Sequence, residues 1–262
     1  MPGNNGETIV IQDRDRHLLE ELATMRVVDR EQAKIVCGFG STTRVNTRLL
    51  ALTRAGLLRR FFLGTTAGGT KGLYALSAKG AKLVGVPLRG PQRPKDEPRA
   101  VDFFVTHQLT VNDVYCALKY GKLPGQVSFR EWRPFFGPIV PEIRLIPDGY
   151  VELATPAGIL PAFIEIDRGG ERGPVWGKKI AHYLQFAVRS IPKGDGFKRP
   201  FRVLVIASTE RRAISIRTTA ARVTDKIFWF AGLDAIRQDG LFAPIWLRPT
   251  GDTRLPLIKE LP

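Results

Sequence analysis

Several things are scarce in this chain, and each scarcity closes off a class of protein. Cysteine occurs twice in 262 residues, at Cys37 and Cys116, and no paired spacing links the two. That excludes a disulfide scaffold and a zinc knuckle, and both thiols are expected to be buried and reduced. No apolar run approaches the roughly 18 residues that a membrane span needs. Met1 to Gly6 is polar and the apolar stretch Thr8-Ile9-Val10-Ile11 is short, so no signal peptide is expected. The expected compartment is the cytoplasm, with no membrane partner. Acidic residues are also in deficit: 25 Asp and Glu stand against 40 Lys and Arg, a net charge of +15.

The basic excess is not a tail. Residues 1–86 hold thirteen Lys/Arg against seven Asp/Glu, and residues 101–262 hold twenty-three against sixteen. A folded, basic chain with both halves charged points to nucleic acid before an anionic membrane, and no basic amphipathic stretch of the membrane-surface type is present. The apolar fraction of 44% is that of a globular protein with a real core. The length suits two domains.

Residues 1–86 read as a winged helix. Asp13 is placed to cap a first helix with an apolar stripe of Leu18, Leu19 and Leu22. Asp29 opens a second, short helix to about Val36, and Gly38-Phe39-Gly40 ends it. Ser41 caps a third helix to about Ala55, in which Val45, Leu49 and Leu52 make the buried face. Thr43, Arg44, Thr47 and Arg48 then lie on the other face near its start, where a recognition helix presents side chains to the major groove. Leu57 to Phe62 and Gly72 to Leu76 read as a hairpin with a Gly/Thr-rich tip, followed by a helix from Ser77. The hairpin adds Arg59, Arg60 and Lys71, suited to phosphate contacts that give affinity and register but no sequence information. Arg44 and Arg48 can serve either role, because arginine is also the usual partner of guanine.

Residues 87–100 carry four prolines without apolar periodicity and read as a linker. Residues 101–262 then read as a second domain. Phe103 to Lys119 is expected to be a helix, Val127 to Phe135, Ile143 to Leu153 and Ile159 to Asp167 strands, and Pro174 to Ser190 a helix. The apolar run Phe201 to Ala207 reads as a central strand. A helix around Glu210 to Val223 and strands at Ile227 to Phe230 and Pro244 to Leu247 complete it. The fold class is α/β in the broad sense (α+β), with one mixed sheet flanked by helices.

The chemistry-bearing residues fall in this second part. A turn at Thr155-Pro156-Ala157-Gly158 sets Asp148 opposite Glu165, and strand alternation puts Glu165 and Asp167 on one face, with Ile164 and Ile166 directed into the core. Three carboxylates on one patch repel one another unless a cation intervenes, and oxygen ligands of this kind suit Mg²⁺ or Mn²⁺. Lys179 and Tyr183, four residues apart on the next helix, face the same site, with Lys178 beside them. The expected roles are metal binding by Asp148, Glu165 and Asp167, and charge stabilisation by Lys179 during phosphodiester cleavage.

At these residues the chain resembles the replication-relaxation family of plasmid and mobile-element proteins. The residues that carry the resemblance are Val111-Asn112-Asp113, Ile146-Pro147-Asp148-Gly149, Phe163 to Arg168, Lys179 with Tyr183, and Pro244-Ile245-Trp246. The resemblance implies a winged helix fused to a domain similar to the PD-(D/E)XK nuclease fold, and with it double-stranded DNA as a partner. It also implies replication or mobilisation proteins of the same element as partners, and a homodimer is expected of a winged helix. On the nuclease pattern Asp148 and Glu165 are the two acids, and Asp113, with His107 near it, is the acid of the preceding helix. Asp167 stands where the pattern has lysine, so the lysine must come from Lys179 or Lys178. Two functions stay open at this point: metal-dependent DNA nicking or cleavage, and a non-enzymatic regulator whose nuclease-like domain serves dimerisation or docking.

Overall fold

The computed structural model describes residues 9–64, 68–89, 98–170, 173–193 and 200–258. The fold is mixed α+β, and the chain divides into two compact units, Met1–Gly121 and Lys122–Pro262. Residues 90–97 of the expected linker and 65–67 of the expected hairpin tip lie outside the described residues.

The first unit runs α1 (Asp13–Met25), β1 (Val28–Asp29), α2 (Arg30–Val36), α3 (Thr42–Arg54), β2 (Leu58–Gly64), β3 (Thr70–Leu76), α4 (Ala78–Val84) and α5 (Pro98–Lys119). Gln12, not Asp13, caps α1, and its N–H donates to Asp15 Oδ2 at 2.7 Å. Asp29 caps α2 by accepting from the Gln32 N–H at 2.8 Å, and Ser41 caps α3. Asp29 and Ser41 each supply an acceptor to an N–H that the first helical turn leaves unpaired. Val45, Leu49 and Leu52 are buried as their spacing requires. The antiparallel sheet has the order β1-β3-β2, so the two-residue β1, unforeseen in the sequence, makes β3 central. α4 lies hard against the end of α3: the Ser77 hydroxyl accepts from the Gly80 N–H at 2.9 Å and donates to the Gly56 carbonyl at 2.6 Å. A Cβ on Gly80 would stand 2.3 Å from the Leu57 carbonyl oxygen, so only glycine allows that approach.

α5 corrects the expected domain boundary. The helix that was to open a second domain at residue 101 belongs to the first unit, which runs on to Gly121. Val105 and Leu109 pack with Val27, Leu63 and Leu73. The Asn112 amide donates to the carbonyls of Met25 at 3.1 Å and Val27 at 2.6 Å, and Gln32 donates to the Leu109 carbonyl at 2.8 Å. The Tyr115 hydroxyl and Lys119 Nζ both donate to Glu21, each at 2.6 Å. Proline density marked a break in the chain; the side chains beyond it return to the same core.

The second unit runs β4 (Ser128–Arg133), β5 (Gly149–Thr155), β6 (Gly158–Asp167), α6 (Gly173–Lys193), β7 (Arg202–Ala207), α7 (Glu210–Ala221), β8 (Phe228–Gly232) and α8 (Leu233–Asp239). Its sheet keeps chain order, β4-β5-β6-β7-β8. The first two pairings are antiparallel and the last two parallel, with α6 and α7 as the crossovers. Phe163, Val203, Val205, Phe228 and Phe230 share one sheet face and pack against Trp176, Ile180, Tyr183 and Phe186 of α6 and Ala213 and Ile216 of α7.

Two expectations fail at the margins, and one helix was missed. The strand expected from Ile143 begins at Gly149, after Pro147, which has no N–H to give to a ladder. The strand expected at Pro244 to Leu247 is reduced to isolated bridges, Phe230 to Leu247 and Trp246 to Leu255. α8 was not foreseen at all, its seven residues being too few to show a period.

If α5 completes the first unit, Asn112→Ala leaves the carbonyls of Met25 and Val27 without donors. Urea denaturation of the variant should show a loss of about 1–3 kcal/mol.

Candidate functional site

β5 and β6 pair with Gly149 opposite Ile164 and Thr155 opposite Gly158, the register that the turn spacing required. Asp148, one residue before β5, is thereby held beside the end of β6, and its Oδ2 accepts from the Ile166 N–H at 2.7 Å. Gly149 is needed here because the Trp132 ring of β4 lies across it: a Cβ would come within 2.3 Å of the indole.

Alternation along β6 is as expected, but the face is not. Glu165 and Asp167 share the side of Phe163, which α6 and α7 cover, and they are 0% and 2% exposed. Ile164 and Ile166 are buried on the opposite face. The acids are therefore enclosed between helix and sheet, where each needs partners.

Glu165 finds them on α6. Lys179 Nζ donates to its Oε2 at 2.9 Å, and the Tyr183 hydroxyl donates to its Oε1 at 2.5 Å. Lys179 also lies over the Trp176 ring, 4.9 Å from its centre. Burial pushes the Glu165 carboxyl up to about 7; Lys179 and Tyr183 oppose that shift and the charge of Asp148 adds to it. Burial and the facing Glu165 charge raise the Tyr183 phenol. Lys178 is exposed.

Asp167 finds different partners. Arg212 of α7 grips it with two bonds, Nε to Oδ1 at 2.8 Å and the guanidinium NH2 to Oδ2 at 2.9 Å. The Trp176 indole N–H donates to Oδ2 at 2.6 Å and the Gly169 N–H to Oδ1 at 2.8 Å. Burial acts to raise this carboxyl, but the four donors outweigh it and hold it below the usual carboxylate range.

The expected three-carboxylate metal patch is therefore not assembled. Among the described residues no three His, Cys, Asp or Glu side chains are grouped to hold a metal ion. Asp167 drops out because its oxygens are occupied by Arg212, Trp176 and Gly169. Asp148 and Glu165 are the two acids left at this end of β6, and the charge of Asp148 acts on Glu165. Arg212 and Trp176 were missed in the sequence. Arg212 lies 45 residues beyond Asp167, and only the topology brings α7 to the end of β6.

Of the remaining acids, Asp113 sits on α5 in the first unit and accepts from Gln32 Nε2 at 2.6 Å. His107 is half-buried on the same helix.

The residues expected at DNA separate into two groups. Thr43, Arg44, Thr47, Arg59 and Arg60 are exposed. Arg60 lies 4.7 Å from the centre of the Phe62 ring, and Phe62 is itself 51% exposed. Arg48 departs from expectation: its Nε donates to buried Asp15 at 2.8 Å and it reaches the Val10 carbonyl at 2.6 Å, so it joins α3 to α1. A buried carboxylate draws in the nearest cation. Lys71 is exposed but paired at 2.5 Å with Asp29, the α2 cap.

The family model described as replication-relaxation matches residues 19–198, more than half of the chain. The chain belongs to the replication-relaxation family. Membership associates it with replication or relaxation of plasmids or mobile elements. No curated protein and no solved structure matches the chain. In this replication-relaxation chain the matched span takes in Asp148, Glu165, Asp167, Lys179 and Tyr183 and stops before Arg212. No helix among the described residues is long and apolar enough to cross a membrane.

Two measurements check this account of the site. Above about pH 4.5 unfolded chains release the Glu165 proton, while the folded protein keeps it until about pH 7. Stability should therefore fall as pH rises through that window, by about 3 kcal/mol, and Glu165→Gln should remove that slope in urea titrations. Arg212→Met leaves Asp167 buried without its cation and should cost about 3–5 kcal/mol in the same assay.

Proposed function

We propose that this replication-relaxation protein docks on duplex DNA through its first unit and cuts DNA with the Asp148–Glu165–Lys179 group of its second. The observation that carries the reading is the meeting of those three side chains at the end of β6, within a chain of this family. The order of three helices, hairpin and helix in the first unit supports a winged helix, with α3 as the groove-reading element. The antiparallel hairpin followed by a parallel crossover in the second supports a nuclease-like sheet.

Asp148 and Glu165 would hold Mg²⁺ or Mn²⁺. When bound, that metal polarises the phosphodiester and lowers the pKa of its water. Lys179 supplies fixed positive charge beside Glu165, where negative charge builds on a cleaved phosphate. Tyr183 positions Glu165 by holding its other oxygen. Trp176 and Arg212 fix the Asp167 end of the strand and so keep Glu165 in place. Exposed Arg44, Arg59 and Arg60 give the first unit its cationic contacts.

A second reading has its own observation. Asp167 occupies the position where the nuclease pattern has lysine, and it is spent on Arg212. A non-enzymatic DNA-binding regulator on a nuclease-like scaffold accounts for that equally well.

Supercoiled plasmid incubated with the protein and Mg²⁺ or Mn²⁺ separates the two. Nicking or linearisation that drops by about 100-fold or more in Glu165→Ala and Asp148→Ala supports the first reading. Gel retardation without conversion in any form supports the second. In binding assays Arg44→Ala should cost about 1–3 kcal/mol if it reads a base, whereas Arg48→Ala should act on folding stability.

A further inference from the structure

The opposite end of the second unit's sheet contains a cavity that the acid site does not use. It has a volume of about 520 Å³ and is walled by Pro156, Ala157, Leu160, Leu255 and Leu257 around Arg202, Trp229 and Arg248. Leu160 is five residues before Glu165 on β6, about 17 Å along the strand. The register Ala162–Arg202 and Leu204–Trp229 puts the cavity on the face away from α6 and α7. It therefore shares neither the end nor the side of the sheet with Glu165.

Its two arginines lack the carboxylate salt bridge that half-buried cations normally have. The Arg202 guanidinium lies 4.3 Å and that of Arg248 5.0 Å from the centre of the same Trp229 ring. Among the described residues each donates to a backbone carbonyl, Arg202 to Leu257 and Arg248 to Asp225 at 3.0 Å. Among the described residues no carboxylate forms a salt bridge with either. Burial lowers the pKa of both; the charge of Arg248 lowers that of Arg202 further, while the Asp225 carboxylate acts the other way on Arg248. Trp229 is 6% exposed and its indole N–H has no hydrogen-bond partner. Two half-buried cations without a carboxylate at salt-bridge distance, set in apolar walls, are an arrangement that an anion completes.

We propose that this cavity is a binding site for an organic oxyanion, a carboxylate or phosphate monoester carried on an apolar body. Arg202 and Arg248 take the oxyanion, and the proline, alanine and leucine walls take the body. The size is that of a small-molecule site. The inference stands apart from the nuclease reading, because none of its residues belongs to that site.

The test uses the full chain and the fluorescent probe 1-anilinonaphthalene-8-sulfonate, an aromatic body bearing an oxyanion, beside its uncharged parent N-phenyl-1-naphthylamine. The expected result is saturable 1:1 binding of the sulfonate and at least ten-fold weaker binding of the parent. Arg202→Gln and Arg248→Gln should each weaken the sulfonate at least ten-fold. Ala157→Trp, which narrows the mouth from an exposed turn and leaves both arginines intact, should also weaken it, with an unchanged circular-dichroism spectrum and melting temperature. Equal binding of the two probes, or sulfonate binding untouched by the arginine and Ala157 variants, overturns the proposal. Displacement of the probe by duplex DNA, with DNA affinity lowered by Arg202→Gln, also overturns it and makes the arginines phosphate contacts. Probe binding that appears only after residues 259–262 are removed overturns it in favour of the chain's own terminus.

Discussion

Two carboxylates two residues apart on β6, Glu165 and Asp167, lie under helices instead of in water, and the second unit is arranged around neutralising them. α6 brings Lys179, Tyr183 and Trp176; α7 brings Arg212. Without these donors the strand end would carry two desolvated charges on the face that also holds Phe163. The packing of both crossover helices is thus tied to charge as well as to apolar contact. The two acids also end up chemically different. Asp167 is fixed as an anion by a bidentate arginine, while Glu165 is held near neutrality and shares its surroundings with Asp148. Two carboxyls two residues apart on one strand are thus pushed in opposite directions by their surroundings.

Much of this was legible in the sequence because it depended on local rules. The turn at Pro156-Ala157 set the β5–β6 register, and the register set Asp148 against the end of β6. Four-residue spacing put Lys179 and Tyr183 on one side of α6. Caps at Asp29, Ser41 and Ser77 located three helices of the first unit. The sheet face of Glu165 was misjudged for a physical reason: acids on a strand usually mark the wet side, and here long-range partners made the dry side tolerable. Arg212 could not be paired with Asp167 from spacing, since only the parallel crossovers bring α7 to that strand end. Arg48 looked like a groove-reading residue, but it pairs with Asp15, which is buried beneath it. The boundary at the proline-rich segment failed because composition reports local stiffness, whereas membership of a core depends on where α5 packs.

The two ends of the second unit's sheet differ in kind. The end of β6 gathers acids whose charge is answered almost wholly by protein. The start of β7 and β8 gathers arginines whose charge is answered by backbone carbonyls and an indole face. A unit that satisfies one sign of charge internally and leaves the other sign half answered has an intrinsic polarity along its strands. That polarity is independent of the net positive charge of the whole chain.

Gly149 has a last consequence. The indole of Trp132 occupies the space that any side chain at position 149 would need. The acid at 148 is therefore pinned: it cannot shift one residue toward β5 by mutation, because no carboxyl-bearing side chain fits there. The cation opposite is set as firmly by helix geometry: Lys179 reaches Glu165 while its neighbour Lys178, about a third of a turn round α6, is exposed.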